Sequence, residues 1–276
     1  MNDQNNIITR ITPKGSFFDF GWAELWAHRE LLYFLAFRDI KIRYKQTAIG
    51  IAWALLQPVL TTAIFTVIFS TLARFDSPGV PYPLFALSGL MIWLYVNSSI
   101  TTASTSFTSN TNLVTKVYFP RILMPAAATL AGLADLAFSI VVLVPVMVYY
   151  GIGFSVQMLL APVFLLMAIL LAASIGVLFA ALNVRFRDVK FALPFILQVW
   201  MFISPIFYPL DILPEKARLV FVFNPLTGIL QGFRSSLFGE KFDWFAIGIS
   251  VAMTVVITIV SIFIFKQMED DFADMI

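Results

Sequence analysis

Apolar residues in this chain gather into six long runs separated by short polar stretches. The runs lie near Ile51–Ala73, Leu84–Ser104, Leu123–Tyr150, Phe154–Val184, Phe191–Leu210 and Trp244–Phe265. Each reaches the ~20 residues an α-helix needs to cross a bilayer, so the pattern predicts an all-α integral membrane fold with six transmembrane helices. Pro58, Pro145, Pro162 and Pro194 fall inside runs; membrane helices accept proline where neighbours satisfy the freed backbone groups. Ahead of the first run, Trp22, Leu25, Trp26, Leu32, Tyr33 and Ala36 recur at helical spacing, with Glu24, His28 and Glu30 mostly elsewhere. Trp22–Phe37 is too short and too charged to span, which predicts an N-terminal amphipathic interface helix; an ordinary soluble amphipathic helix is the alternative. The chain thus divides into residues 1–50 (N-terminal segment with interface helix and basic stretch), 51–265 (six-span domain) and 266–276 (C-terminal tail). Met1–Asp19 is polar, lacks signal-peptide form and reads as a cytoplasmic lead-in.

Charge sets the orientation. The segment FRDIKIRYK (37–45) holds Arg38, Lys41, Arg43 and Lys45 against one acid, Asp39, and no charge follows from Gln46 to Ala73. A basic patch that flows into an apolar run suits entry from the cytoplasmic leaflet. Assigning loops alternately, the side that bears this patch collects thirteen Lys and Arg, including Lys116, Arg121, Arg185, Arg187, Lys190 and Lys266. The other side collects five: Arg74, Lys216, Arg218, Arg234 and Lys241. Both termini are therefore expected in the cytoplasm.

Two connections stand out. SFTSNTNLVTKVYFPR (106–121) is an inner loop rich in helix-start residues, and the pattern predicts one short helix capped by Asn110 or Asn112 and ended by Pro120. On residues alone it could simply join two spans. The outer connection from Asp211 to Asp243 offers two helix starts, at Pro214 and Asn224-Pro225. Leu226, Ile229, Leu230, Phe233 and Leu237 form one apolar stripe. Fourteen helical residues reach only ~21 Å against a ~30 Å core. Short re-entrant helices dipping into the outer leaflet, between spans five and six, fit best; a passive surface hairpin is the alternative.

Composition narrows the function. Of 276 residues 60% are hydrophobic and 12% charged, about half the charged share usual in soluble domains. There is no Cys and a single His, which leaves no thiolate or histidine metal cluster. A net charge of +2 does not suggest nucleic acid, and no constellation of catalytic residues marks an enzyme. Asp135 is the one acid deep in a run, on a face with Ala127, Ala131 and Ser139. With no ionisable partner evident at its depth, an interhelix hydrogen-bonded contact is favoured over a proton relay. Ala168, Ala172, Gly176 and Ala180 predict a second small-residue packing face. No G-x-x-x-x-G-K-[ST] phosphate loop occurs, so any ATP-driven step needs a separate ATPase.

The basic segment, Gly50–Trp53, Gln57-Pro58, NLVTKVYFPR with Met124-Pro125, NVRFRDVKFALPFILQ (183–198) and the stretch from Ser204 to Gly239 together resemble polysaccharide-export permeases of the ATP-binding-cassette (ABC) type, across roughly Trp22–Phe265. The resemblance implies a working unit of two permease copies and two ATPase subunits, with ATP and Mg held by the ATPase. Its cargo would be a lipid-linked polysaccharide such as O-antigen, capsule or a teichoic-acid-like polymer. It further implies that Asn112, Leu113, Val114, Lys116, Val117 and Tyr118 couple to the ATPase, and that 204–239 forms the outer gate, with Tyr208, Asn224 and Phe233. Arg38, Lys41, Arg43 and Lys45 are placed to meet the carrier's phosphates, or equally to anchor on anionic lipid. Trp93, Tyr95, Trp200 and Phe202 are candidates for a sugar path. Two alternatives remain: an ABC exporter of a drug or small lipid, and an ion-coupled secondary transporter, which would call for several intramembrane charges and internal repeats.

Overall fold

A computed structural model of the chain describes residues 26–45, 52–72, 79–269 and Phe272. Every regular element among them is helical. In chain order the α-helices are α1 Arg29–Lys45, α2 Ala52–Phe65, α3 Tyr82–Ser104, α4 Thr111–Lys116, α5 Leu123–Ala131, α6 Leu133–Tyr149, α7 Ala161–Arg185, α8 Val189–Ile203, α9 Glu215–Val222, α10 Pro225–Phe238 and α11 Trp244–Met268. A π-helical turn, Thr66–Leu72, prolongs α2, and a 3₁₀ turn, Val156–Leu160, leads into α7.

Five stretches among the described residues are long and apolar enough to cross a membrane: Ala52–Ser70, Tyr82–Ser104, Leu123–Tyr149, Val156–Arg185 and Trp244–Met268. The fold is thus that of an all-α integral membrane protein. The fifth expected run departs from this pattern. Its helix, α8, stops at Ile203 after fifteen residues rather than reaching Leu210. That is ~22 Å of helix, short of the ~30 Å hydrocarbon core. The cause is local: Pro205 follows Ser204, which is extended at φ −93°, ψ 141°, as residues before proline tend to be. Ahead of the crossings, α1 passes through the border expected at Phe37 and takes in the whole basic segment. Residues 37–45 contain neither Gly nor Pro to stop it. Positions 22–25 of the expected interface helix, and Gly50, lie outside the described residues.

α3 is the pillar of the bundle. Nearly all of it is buried, and it packs against α2, α5, α6, α7 and α10. In lipid no hydrophobic drive brings helices together, so close contact depends on small residues. The expected stripe on α7 supplies them: Ala168, Ala172, Gly176 and Ala180 are all buried. At Gly176 even a methyl group would lie 2.8 Å from Ala103 Cβ of α3, so any side chain there would force the two helices apart.

Two apolar cores form along the ~34 Å length of α3. The larger joins α3 to α6, α7, α8 and α10 and includes Phe85, Leu90, Trp93, Phe207 and Phe233. The smaller lies where α3 ends and gathers Leu35 of α1, Phe107, Val114 of α4, Phe119, Met124, Val184 and Phe265. This second core carries the basic helix and the short helix α4 together at one end of the molecule.

Candidate functional site

The site begins where α3 ends. Asn183 of α7 donates its amide to the Ser104 carbonyl at 2.8 Å, tying the last turn of α3 to the last turns of α7. The chain then turns through hydroxyls that bond back to its own backbone, such as Ser109 Oγ to the Thr105 carbonyl at 2.8 Å. Side chains of this type compete with helical hydrogen bonding and so favour a turn. Asn110 sits at the N-terminal cap of α4, but its amide points backward to the Ser106 carbonyl at 2.9 Å and makes no capping bond. Nor does the helix run to Pro120: it stops at Lys116, where Val117 turns extended.

This short helix has two sides. Val114 and the following Phe119 are buried in the smaller core, so Val114 anchors the segment rather than presenting it. Leu113 is half-buried, whereas Asn112 and Lys116 are exposed. Val117 and Tyr118, just past the helix, are exposed as well, Tyr118 at 88%. An exposed aromatic thus stands beside an exposed valine, just past the end of a helix whose other side is buried.

Beside it lies the basic helix. Arg43 of α1 pairs with the Asp135 carboxylate and also reaches Ser98 Oγ (3.4 Å) and Thr102 Oγ1 (3.3 Å) of α3. Tyr44 donates its hydroxyl to the other Asp135 oxygen. Burial, reinforced by that carboxylate, pushes the Tyr44 phenol above its ordinary range, so it stays protonated and donates. Asp135 therefore has the ionisable partners that its own sequence surroundings hide, in residues more than ninety positions earlier. The contact joins helices, as expected, and it is an ion pair. Arg38 pairs with its neighbour Asp39 at 2.8 Å, while Lys41 and Lys45 are exposed. Between α1, the end of α3 and α5 opens a cavity of about 420 Å³ whose lining includes Arg38, Arg43, Thr102, Ser106 and Asn110. Ser106 Oγ is buried and has no hydrogen-bond partner among the described residues. Asp39 lines it too, so the cavity combines several hydroxyls with two guanidinium groups, each already paired with a carboxylate.

None of the expected path and gate residues lines this cavity, and they separate into groups. Trp93 meets Trp200 edge to face at 5.8 Å, and Trp200 Nε1 donates to Asn224 Oδ1 at 2.9 Å. Asn224 also caps α10 by accepting from the Leu226 amide at 3.1 Å, and it donates to Ser204 Oγ at 2.8 Å. Tyr208 donates to the Phe202 carbonyl at 2.8 Å, and the Phe202 ring is exposed. Tyr95 and Phe233 are buried in packing, apart from that cluster. Both expected helices of the connection are present, as α9 and α10.

One residue there escaped sequence reasoning. Arg234, counted as a loop charge, is 4% exposed inside α10. It donates to the carbonyls of Pro205 (2.7 Å), Ile206 (2.7 Å) and Phe85 (3.0 Å) and to Ser88 Oγ (3.3 Å), with its guanidinium 3.6 Å over the Phe85 ring. The rigid fork of donors in arginine suits this task. Gly89 makes room, since a Cβ there would lie 2.5 Å from Nη2. The available signal was a single charge within the otherwise apolar stripe of α10. Among the described residues no group of acidic or histidine side chains is arranged to hold a metal ion.

Comparison with known proteins places this architecture. Among relatives, the O-antigen export system permease protein RfbA of Myxococcus xanthus is 27% identical over 92% of this chain and 98% of its own. A protein of the same name from Klebsiella pneumoniae is 27% identical over 90% and 95%. The polysialic acid transport protein KpsM of Escherichia coli is 27% identical over 83% and 88%. The resemblance to polysaccharide-export permeases drawn from the sequence holds across these relatives. The ABC-2 type transporter family matches residues 30–238, well over half of the chain, and this chain belongs to that family.

Proposed function

We propose that this chain is the membrane subunit of an exporter that moves a lipid-linked polysaccharide from the cytoplasm to the outer face of the bacterial inner membrane. Two copies would work with two ATPase subunits, which carry ATP and Mg. The observation that carries the reading is one juxtaposition: the projecting Val117-Tyr118 edge and the Arg38–Arg43 cavity share a single end of the bundle. An energy input and an anionic headgroup would thus meet on the cytoplasmic side, an orientation that the excess of Lys and Arg at that end supports.

In this reading Arg38 and the hydroxyls of the cavity receive the carrier's phosphates, with Lys41 and Lys45 drawing them to the leaflet. Arg43 holds α1 against the bundle through Asp135. At the outer face, α9 and α10 form the gate. The short helix α8, with the turn that follows it at 204–209, would complete the sixth crossing, and both termini would lie in the cytoplasm.

The test is the double variant Val117→Asp with Tyr118→Ala. It should reach the membrane folded, yet lose co-purification of the ATPase and lose glycan at the cell surface. Normal co-purification together with normal export would sink the assignment of this segment.

A further inference from the structure

The C-terminal end of the chain returns to the coupling segment and grips both of its flanks. Phe107, three residues before Asn110, is fully buried between Phe265 of α11 and Phe272. The ring centroids lie 6.2 Å apart for Phe107–Phe265, 5.1 Å for Phe107–Phe272 and 5.5 Å for Phe265–Phe272. On the other flank, Arg121 donates to the Glu269 carbonyl, and its guanidinium stands 5.9 Å over the Phe272 ring. Phe272 is 0% exposed. Its partners Phe107 and Arg121 flank α4.

The same helix is fixed at its far end. Asp243 caps α11 by accepting from the Ala246 amide at 3.1 Å, and the Gly228 amide of α10 donates to Ser250 Oγ at 2.9 Å. A Cβ at Gly228 would lie 2.3 Å from the Ala246 carbonyl, so the two helices meet backbone to backbone. With twenty-five residues, α11 spans ~37 Å between α10 and the coupling segment. It is interrupted by neither Pro nor a break.

We infer that α11, through the Phe272–Arg121 clasp, is a positioning element that joins the coupling segment to the outer helix α10. This rests on the coupling role proposed above for residues 106–121. Phe272 touches neither carrier nor ATPase in this scheme; it acts by holding Phe107 and Arg121, so that movement imposed on α4 is delivered to α11 rather than absorbed by a loose loop.

The experiment uses the full-length permease with its ATPase. Phe272→Ala is compared with the parent for amide hydrogen exchange over 106–121, ATPase co-purification, ATP hydrolysis, and glycan delivered to the cell surface. Exchange over 106–121 should rise while the ATPase stays bound and active. Glycan delivered per ATP hydrolysed should fall about fivefold or more, the lower end of ordinary coupling between sites. Unchanged exchange, or raised exchange with an unchanged export-to-hydrolysis ratio, would overturn the inference. If the alanine variant does not accumulate, Phe272→Leu is read by the same two measurements and the same criteria. The Val117→Asp/Tyr118→Ala variant runs alongside: retained ATPase there indicts the coupling assignment, whereas loss of ATPase there with an unaltered Phe272→Ala indicts the clasp alone.

Discussion

Asp135 offers the most direct quantitative test of the structure. Its carboxylate takes a charged bond from Arg43 and a neutral one from Tyr44, and the two ionised side chains are only about a quarter exposed (26% and 27%). Breaking a fully buried ion pair costs about 3–5 kcal/mol, whereas exposed pairs are worth about 0–1 kcal/mol. A partly covered pair with a second hydrogen bond falls between. Asp135→Leu should therefore cost about 2–3 kcal/mol, because it leaves Arg43 only the longer bonds to Ser98 and Thr102. Asp135→Asn keeps an acceptor for Tyr44 and exchanges a charged bond for a neutral one, a loss of about 1 kcal/mol. Stability of the purified permease, followed by denaturant unfolding in nanodiscs, orders the series as parent, Asn, Leu. Export should survive in Asn. A double-mutant cycle with Arg43→Gln should show coupling of about 1 kcal/mol or more. Additive effects in that cycle, or Asp135→Leu as stable as the parent, would refute the pairing; abolished export in a stable Asn variant would refute its reading as a helix contact.

Three further outcomes are expected. Single cysteines replacing Lys116 and Lys190 should be labelled only from the cytoplasmic side, and one replacing Glu215 only from outside; labelling Lys116→Cys from outside in intact cells would reverse the orientation. Arg234→Met strands the Pro205 and Ile206 carbonyls in an apolar setting, so it should cost about 3 kcal/mol or more and reduce the folded fraction recovered by size exclusion. Arg234→Lys, with fewer donors, should fall between. Gly89→Ala should be destabilising in the same assay, since its methyl would sit 2.8 Å from the Ile206 carbonyl as well as against the guanidinium.

Much of this fold is legible in sequence because lipid enforces a plain pattern. Long uncharged runs have no other stable use, and five of the six became helices long enough to cross. The small-residue stripe of α7 and the paired helix starts at Pro214 and Asn224 were readable for the same reason, since each depends on neighbours a few positions away. What stayed hidden depends on distance along the chain. Arg43 and Asp135 are separated by 92 positions, and Arg234 and Phe85 by 149; no local period connects them. Val114 illustrates a subtler loss. Its apolar character suits either a partner surface or a core, and only the packing of Phe107 and Phe119 around it assigns it to the core. The length of α8 was misread because the apolar run continues past Ile203, whereas the backbone obeys Pro205.

The polar side chains that sequence could not place share a physical task. A helix end or break leaves carbonyls without intrahelical donors, and where they are covered they must find donors elsewhere in the protein. Asn183 serves the end of α3 at Ser104, Arg234 serves the break after α8 at Pro205 and Ile206, and Arg121 serves the end of α11 at Glu269. Arg43 does the related work for Asp135, three residues beyond the joint between α5 and α6 at Gly132. These donors come from distant parts of the chain, so every closure also crosslinks two elements. The same bonds that satisfy these carbonyls therefore fix the relative positions of the basic helix, the 106–121 segment and α10. Substitutions at these four residues should first be judged as changes in how the bundle is held together. An effect on transport becomes evidence for a transport role only where stability is unaltered.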